Sequence, residues 1–360
     1  MAWALRLAVA GQPGIEIRSQ EKVVGLCFDD GPRPRVTGLR LASGGALEAG
    51  LTLDALGRGT PVPGWLARQG VQVPVESAPS RFVVFARYYA FRPGATFPDG
   101  PWVGAPIGRL GYADYRLLPG DNRTFCALFG VPDWDHELRA LHHEAAFEAA
   151  TRAVGPMNEV VAQGDPITPV SAMGQLPNTL RRYAQGGRAV VPGLLAIGDG
   201  LAHTDPSFAL GLSMALLHAR ALRDALEAAP SDLDALAAGF HERVMPEAEE
   251  RYRLTVALND ARARTWRGEP VDFTRAAGHL AAFSMNGTGL VALEDDEVLR
   301  AHARRVGFLD RTGVFDGDTG LHARIEGLIQ KRLAAGLPPR PGPDRESLLA
   351  ALREARAAAA

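Results

Sequence analysis

Gly193-Leu194-Leu195-Ala196-Ile197-Gly198-Asp199-Gly200 runs on into Leu201-Ala202-His203-Thr204-Asp205-Pro206-Ser207-Phe208-Ala209-Leu210-Gly211-Leu212, and the reading of the whole chain turns on this stretch. A short apolar run ends in Gly-Asp, turns, and enters a helix at Asp-Pro. The order predicts a strand whose carboxyl end carries one carboxylate, facing a helix N-terminus. That pairing suits a polyhydroxylated, partly anionic ligand, because a carboxylate accepts hydrogen bonds from hydroxyls and a helix start favours negative charge. Asp205 is a good N-cap, and Pro206 at the first helical position costs no hydrogen bond. The helix is expected from Ser207 to about Ala228, with Phe208, Leu212, Ala215, Leu216, Leu222 and Leu226 as its buried stripe.

A second strand–turn–helix lies upstream. Leu51-Thr52-Leu53-Asp54-Ala55-Leu56-Gly57-Arg58-Gly59-Thr60 leads into Val62-Pro63-Gly64-Trp65-Leu66. Gly57 permits a tight turn, and Arg58 is either turned toward a phosphate or solvated. A third segment, Asn178-Thr179-Leu180-Arg181-Arg182-Tyr183, comes just before the Gly-Asp strand. Arg181 or Arg182 is read either as a contact to a cofactor or substrate carboxylate or as surface arginine.

Together these segments resemble the FAD-dependent monooxygenases related to p-hydroxybenzoate hydroxylase, over about residues 14–330. The resemblance implies an α/β protein: an incomplete FAD-binding Rossmann-like domain, an antiparallel β-sheet substrate domain and a helical C-terminal region. It implies FAD, with Gly198 and Asp199 at the ribityl chain and Pro206 to Leu212, including Gly211 and Leu212, at the pyrimidine ring. Gly57 and Arg58 fall near the pyrophosphate. Two departures stand out. Ala209 occupies a place where relatives often carry Gly, and Leu56 stands where the hydroxylases proper have an Asp near the nicotinamide approach, the nearest carboxylate here being Asp54. NAD(P)H therefore remains only an optional reductant.

The family's usual opening is a strand, Gly-x-Gly-x-x-Gly and a helix, with an acidic residue after the next strand. Residues 1–60 do not read that way. They suggest a helix from Trp3 to Val9, then strands Gly14 to Arg18, Lys22 to Phe28, Val36 to Leu41 and Ala46 to Asp54. This resembles the middle of the family's cofactor domain, and implies a chain that starts roughly a hundred residues late against the usual half-domain. One alternative function follows: a non-catalytic remnant, or half of a split flavoprotein, that does not hold FAD tightly alone. A separate N-terminal half or self-association are then the expected partners, besides a small-molecule substrate.

Composition fits a globular protein of 360 residues with 46% apolar content. A net charge of −2 without a basic block argues against nucleic acid. No stretch approaches the ~20 apolar residues of a membrane span. Cys27 and Cys126 read as reduced and buried, hence cytoplasmic. The expected organisation is 1–74 partial FAD-binding domain, 75–164 substrate-type sheet with helix, 165–228 return to the FAD-binding domain, 229–340 helical region and 341–360 tail. In the second region Arg81 to Phe91, Trp102 to Leu110, Ala113 to Leu118 and Thr124 to Val131 read as strands, with a turn at Pro119-Gly120-Asp121-Asn122. Trp134 to Val154 reads as one helix. Further helices are expected at Leu233 to Arg264, Phe273 to Ser284, Glu297 to Val306 and Leu321 to Ala335, with a stiff linker over 336–343 and a weakly anchored or frayed helix from Glu346 to Ala360.

Gly287-Thr288-Gly289-Leu290-Val291-Ala292 matches a loose dinucleotide pattern, but its flanks read as helix before and four carboxylates after, so it is discounted. His142-His143-Glu144 and Cys126 have no metal-ligand spacing. His203 is a packed turn histidine or a proton-transfer group. No residue stands out as acid, base or nucleophile, so catalytic residues are left unassigned and the chemistry is expected to belong to the cofactor.

Overall fold

One parallel strand pair carries the two segments on which the sequence reading rests. In this computed structural model, residues 2–97, 107–174, 176–229, 231–310, 313–336 and 342–359 are described. The chain divides into two units. The first comprises Met1–Glu76, Leu180–Ala202 and Met214–Met245, and the second Ser77–Thr179, His203–Ser213 and Pro246–Ala360.

In the first unit Thr52–Asp54 and Leu194–Ala196 pair in parallel, with Leu194 opposite Thr52, Leu195 opposite Leu53 and Ala196 opposite Asp54. Leu194, Leu195 and Ala196 are all buried, as expected for a parallel strand covered on both faces. Val23–Phe28, Val36–Leu41 and Ala46–Glu48 form an antiparallel meander in that order. The expected strand Ala46 to Asp54 is thus two strands in two sheets, interrupted by Ala49-Gly50-Leu51. Residues 14–18 form no strand. Ile15 and Ile17 are exposed, and an alternating pattern without a neighbour to bond remains coil. The expected N-terminal helix is present as Ala2–Ala10, and Trp3, Leu5, Leu7 and Val9 are exposed. Cys27 is half-buried rather than buried; Cys126 is buried.

Helix Gly211–Ala228 buries Met214, His218, Ala221, Leu222 and Ala225. Leu212 and Leu216, placed on the buried stripe by the sequence, are 49% and 53% exposed, and Leu226 is exposed too. Leucines occur on both faces of this helix, so apolar periodicity alone did not select the correct one.

The second unit is built on an antiparallel sheet in the order Gly164–Pro166, Phe82–Phe91, Thr124–Pro132, Asp114–Pro119, Ile107–Arg109, with Ser171–Met173 also paired to Phe82–Phe91. Tyr89 opposes Phe125 and Tyr115 opposes Phe129, so alternate residues of these strands face one core. Phe85, Tyr89, Leu117, Phe125 and Phe129 pack there with Phe147, Met157, Leu348 and Leu352 from helices. The C-terminal helix Arg345–Ala359 is therefore firmly anchored through Leu348, Leu349 and Leu352, contrary to expectation. The expected strand Trp102 to Leu110 is seen only as Ile107–Arg109; its earlier part and most of the 336–343 linker lie outside the described residues.

Two expected helices are shorter than their sequence patterns. Trp134 to Val154 resolves into a 3-10 turn, Leu138–His142, and helix Glu144–Ala153, separated by His143 in an extended conformation. Phe273 to Ser284 is coil up to His279, because Asp272 accepts hydrogen bonds from the amide and hydroxyl of Thr274 and so closes a local turn instead. Leu233–Trp266, Asp296–Val306 and Thr319–Ala334 are helical as expected. Gly287–Ala292 lies in helical turns, with no strand before it. Among the described residues no helix is long and apolar enough to cross a membrane.

Candidate functional site

The carboxyl ends of the parallel pair bring together Asp54 and the Gly198-Asp199-Gly200 turn, the end of a parallel sheet at which α/β folds bind ligands. The two carboxylates differ. Asp54 is buried and engaged: it accepts from the Leu56 amide at 3.0 Å and the Thr60 hydroxyl at 2.7 Å, while its carbonyl accepts from Ile197 N–H at 3.0 Å. It closes the loop between its strand and helix Val62–Ala67. Asp199 is half-buried, and its carboxylate accepts no hydrogen bond among the described residues.

Two side chains hold the Asp199 turn. Gly198 adopts φ +56°, a conformation that glycine enters without strain, and a Cβ on Gly200 would lie 2.9 Å from the Asp54 carbonyl oxygen. The Gly198 N–H donates to Nδ1 of His218 at 3.0 Å. Burial pushes the His218 pKa down to about 4. The ring is thus neutral near pH 7, with its proton on Nε2 and the Nδ1 lone pair free to accept. Arg181, also buried, donates to the carbonyls of Asp199 at 3.3 Å and Gly200 at 3.1 Å, and to that of Arg58 at 3.3 Å. It is neither a surface arginine nor turned outward; it ties the 54–60 turn to the 198–200 turn. Arg182 forms an ion pair with Glu76.

Gly57, at φ +79°, makes its turn as expected, and Arg58 presents an exposed guanidinium without an ion pair among the described residues. The Tyr183 hydroxyl and the Thr52 hydroxyl are buried with no hydrogen-bond partner among the described residues. Burial raises the Tyr183 pKa, and the nearby Asp54 charge adds to the effect.

Pro206, Gly211 and Leu212 belong to the second unit. Asp205 does cap Pro206, accepting from the Ser207 amide at 2.8 Å and from its hydroxyl, but the helix does not run on from there. Pro206–Phe208 is a single 3-10 turn that ends at Ala209, in the left-handed region at φ +56°; the α-helix begins only at Gly211. A backbone turn that glycine would take freely is thus made by alanine.

Asp205 is fully buried. Its Oδ2 accepts from Arg262 and from Asn259, both at 2.6 Å, and its own N–H donates to Asn178, which in turn donates to Asn259 at 2.7 Å. Arg262 also lies over the Phe82 ring at 4.1 Å. Sequence reading missed Asn178, Asn259 and Arg262, and no local signal could have found them, since Asn259 and Arg262 lie 54 and 57 positions beyond Asp205. Arg116 donates to the Ser207 carbonyl; burial pulls its pKa down, while Asp114 and Asp205 oppose that. His203 is buried with Nδ1 at 2.7 Å from the Pro177 carbonyl, so it is a packed turn histidine.

Solved structures share this architecture. PqsL, a probable FAD-dependent monooxygenase from Pseudomonas aeruginosa, superposes with a TM-score of 0.56 at 18% identity, over 74% of this chain and 71% of that one. The flavin-dependent brominase Bmp2 gives 0.56 at 15% identity, over 89% and 72%. The fold is that of the FAD-dependent monooxygenases related to p-hydroxybenzoate hydroxylase. A third member of this fold, 2-methyl-3-hydroxypyridine-5-carboxylic acid oxygenase, matches at 0.53 and 18% identity, over 70% of this chain and 63% of that one. In sequence the chain is 28% identical over 337 residues to Protein Rv3254 of Mycobacterium tuberculosis (strain H37Rv), covering 86% of this chain and 66% of that protein's length, just under two thirds. No family model matches.

Proposed function

We propose that this chain is an FAD-dependent, monooxygenase-like oxidoreductase acting on a small organic substrate, with the flavin held at the Gly-Asp segment. One observation carries the reading: at the ends of two paired strands, one carboxylate is consumed by its own loop and the other is left unengaged. A half-buried acceptor fixed by two buried neighbours, His218 and Arg181, suits the hydroxyls of a ribityl chain. In this reading Asp199 accepts those hydroxyls, Gly198 gives room beside them, and Gly57 and Arg58 face the pyrophosphate. The flavin would supply the redox chemistry, with NAD(P)H an optional reductant; the protein orients it and excludes water.

Residues 1–360 contain no Gly-x-Gly-x-x-Gly sequence. A separate N-terminal half, or association between copies, is the partner proposed to supply further donors to the phosphates. Leu53, Leu56 and Leu216 of the first unit are exposed apolar residues suited to such a contact. Several hydrogen bonds to a charged group are worth ~3–5 kcal/mol of affinity, so a partner supplying them should tighten FAD binding.

The test is FAD titration followed by absorbance and fluorescence quenching, with the chain alone and with a strand–Gly-x-Gly-x-x-Gly–helix segment added in trans. Saturable binding, tightened by the added segment and weakened ~10-fold or more by Asp199→Ala, is the expected result. Absence of FAD binding under both conditions, or equal binding by Asp199→Ala, overturns it.

A further inference from the structure

A second candidate site lies in the first unit and is lined by none of the residues assigned to flavin above. A cavity of about 280 Å³ is lined by Cys27 and Phe28 of the first meander strand, Arg40 of the second, and Trp65, Arg68 and Gln69 of helix Val62–Ala67 and its end. None of its lining residues is acidic. Neither guanidinium has an ion-pair or hydrogen-bond partner among the described residues. Arg40 fills the space that its neighbour leaves open. Gly25 stands directly opposite it across the strand pair, and a Cβ on Gly25 would lie 2.5 Å from Nη2 and 2.8 Å from Nε of Arg40. The guanidinium thus occupies the space a side chain at position 25 would fill, and any other residue there would push it aside.

Two uncompensated cations in one concavity raise the local concentration of anions. The planar fork of Arg matches the oxygens of phosphate or carboxylate. Trp65, half-buried, and Phe28 add aromatic faces against which a flat ring stacks. The volume sits at the small end of ligand sites, enough for a ring and one phosphate and too small for a dinucleotide. We propose that this cavity binds an aromatic monophosphate, a planar ring carrying a single phosphate group, with Arg40 and Arg68 on the phosphate and Trp65 against the ring. The site does not rest on the flavin assignment.

Cys27 offers a direct readout, since it is the half-buried cysteine and it lines the cavity. The chain's other thiol, Cys126, is buried and pushed up to about 11 by that burial, so it alkylates slowly. The experiment measures the rate of Cys27 alkylation by iodoacetamide in the full chain against increasing AMP, phenyl phosphate or inorganic phosphate. AMP and phenyl phosphate are expected to protect saturably, slowing the rate ~5-fold or more, with inorganic phosphate at least ~10-fold weaker in concentration, about 1.4 kcal/mol of ring contribution. Gly25→Ala displaces the Arg40 guanidinium without removing its charge and should abolish protection; Arg40→Met gives the same answer if Gly25→Ala does not fold by circular dichroism. Arg68→Gln should weaken protection ~10-fold, while Arg220→Gln, an exposed helix arginine, and Asp199→Ala leave it unchanged. Absence of protection by millimolar AMP in folded protein overturns the proposal. So does protection that survives Gly25→Ala or Arg40→Met, or that inorganic phosphate matches at equal concentration.

Discussion

Asp199 and Asp205 are six positions apart in sequence. Asp199 ends on a turn that two other side chains hold, while its own carboxylate stays unengaged. Asp205 is sealed from solvent, and both its oxygens are committed to Arg262, Asn259 and Ser207. The first arrangement has acceptor capacity to spare for a ligand, and the second has none. A buried carboxylate persists only when paired and hydrogen-bonded, which makes Asp205 a structural anchor. An unengaged carboxylate at a strand's end contributes little to folding, so its presence calls for a functional explanation. The contrast can be attacked through stability, because each residue predicts a different loss.

The largest effect is expected at Arg262. Arg262→Met keeps much of the packing over Phe82 but leaves Asp205 buried without its cation, and should lower the unfolding free energy by ~3–5 kcal/mol. Urea denaturation measures it. Adding Asp205→Asn to that variant should recover part of the loss, because the uncompensated charge is then gone. If the double variant is as unstable as the sum of its parts, Asp205 and Arg262 are not a coupled pair and the anchor reading fails.

His218 comes next. His218→Leu removes the acceptor for the buried Gly198 N–H and should cost ~1–3 kcal/mol. His218→Asn places Oδ1 close to where Nδ1 stood and should retain most of the bond, and with it the slow exchange of the Gly198 amide. The acid dependence has a definite sign. The folded imidazole titrates at about 4 and the unfolded one near its ordinary 6.5, so between these values the unfolded chain binds more protons. Stability is full above about pH 6.5 and falls as the pH drops toward 4, by about 3 kcal/mol from this group. His218→Asn should flatten that limb relative to wild type. An unchanged acid limb would show that His218 is not the buried neutral group.

How much of this was legible depended on how local the cause was. The Gly-Asp strand, the Asp54 strand and the Phe82–Phe91 strand follow from short apolar runs and their turns, and the structure contains all three. The face of helix Gly211–Ala228 was not legible, because Leu212, Leu216 and Leu226 compete with Met214, His218 and Leu222, and only tertiary packing chooses. The coil over residues 14–18 and the anchoring of Arg345–Ala359 likewise depend on whether a distant partner exists. Asp205 was legible as a cap, but its burial was not, since the groups that compensate it come from elsewhere in the chain. The roles of His218 and Arg181 were hidden for the same reason: each acts on backbone atoms, for which side-chain type gives little sign.

A smaller gain is expected at Ala209. Its left-handed backbone costs an L-residue roughly 1 kcal/mol, part of which Gly returns through the greater entropy of its unfolded state. Ala209→Gly should therefore raise stability by at most ~1 kcal/mol, and a loss of stability would mean the Ala209 methyl makes packing contacts that outweigh the strain.

The smallest stability effect is the most informative one. Asp199→Ala deletes a carboxylate that no described residue engages, on a turn kept in place by His218 and by Arg181 bonding to its backbone. Its unfolding free energy should stay within ~0.5 kcal/mol of wild type, the range of a surface substitution away from any structural feature. Loss of flavin affinity in the same variant would then be separable from any damage to the fold. A loss of 2 kcal/mol or more in urea would instead place Asp199 alongside Asp205 as a structural group, and the difference between the two aspartates would vanish. Retained stability with unchanged flavin affinity would leave the Asp199 carboxylate with neither role, and the ribityl assignment would have to move elsewhere along the ends of the parallel pair.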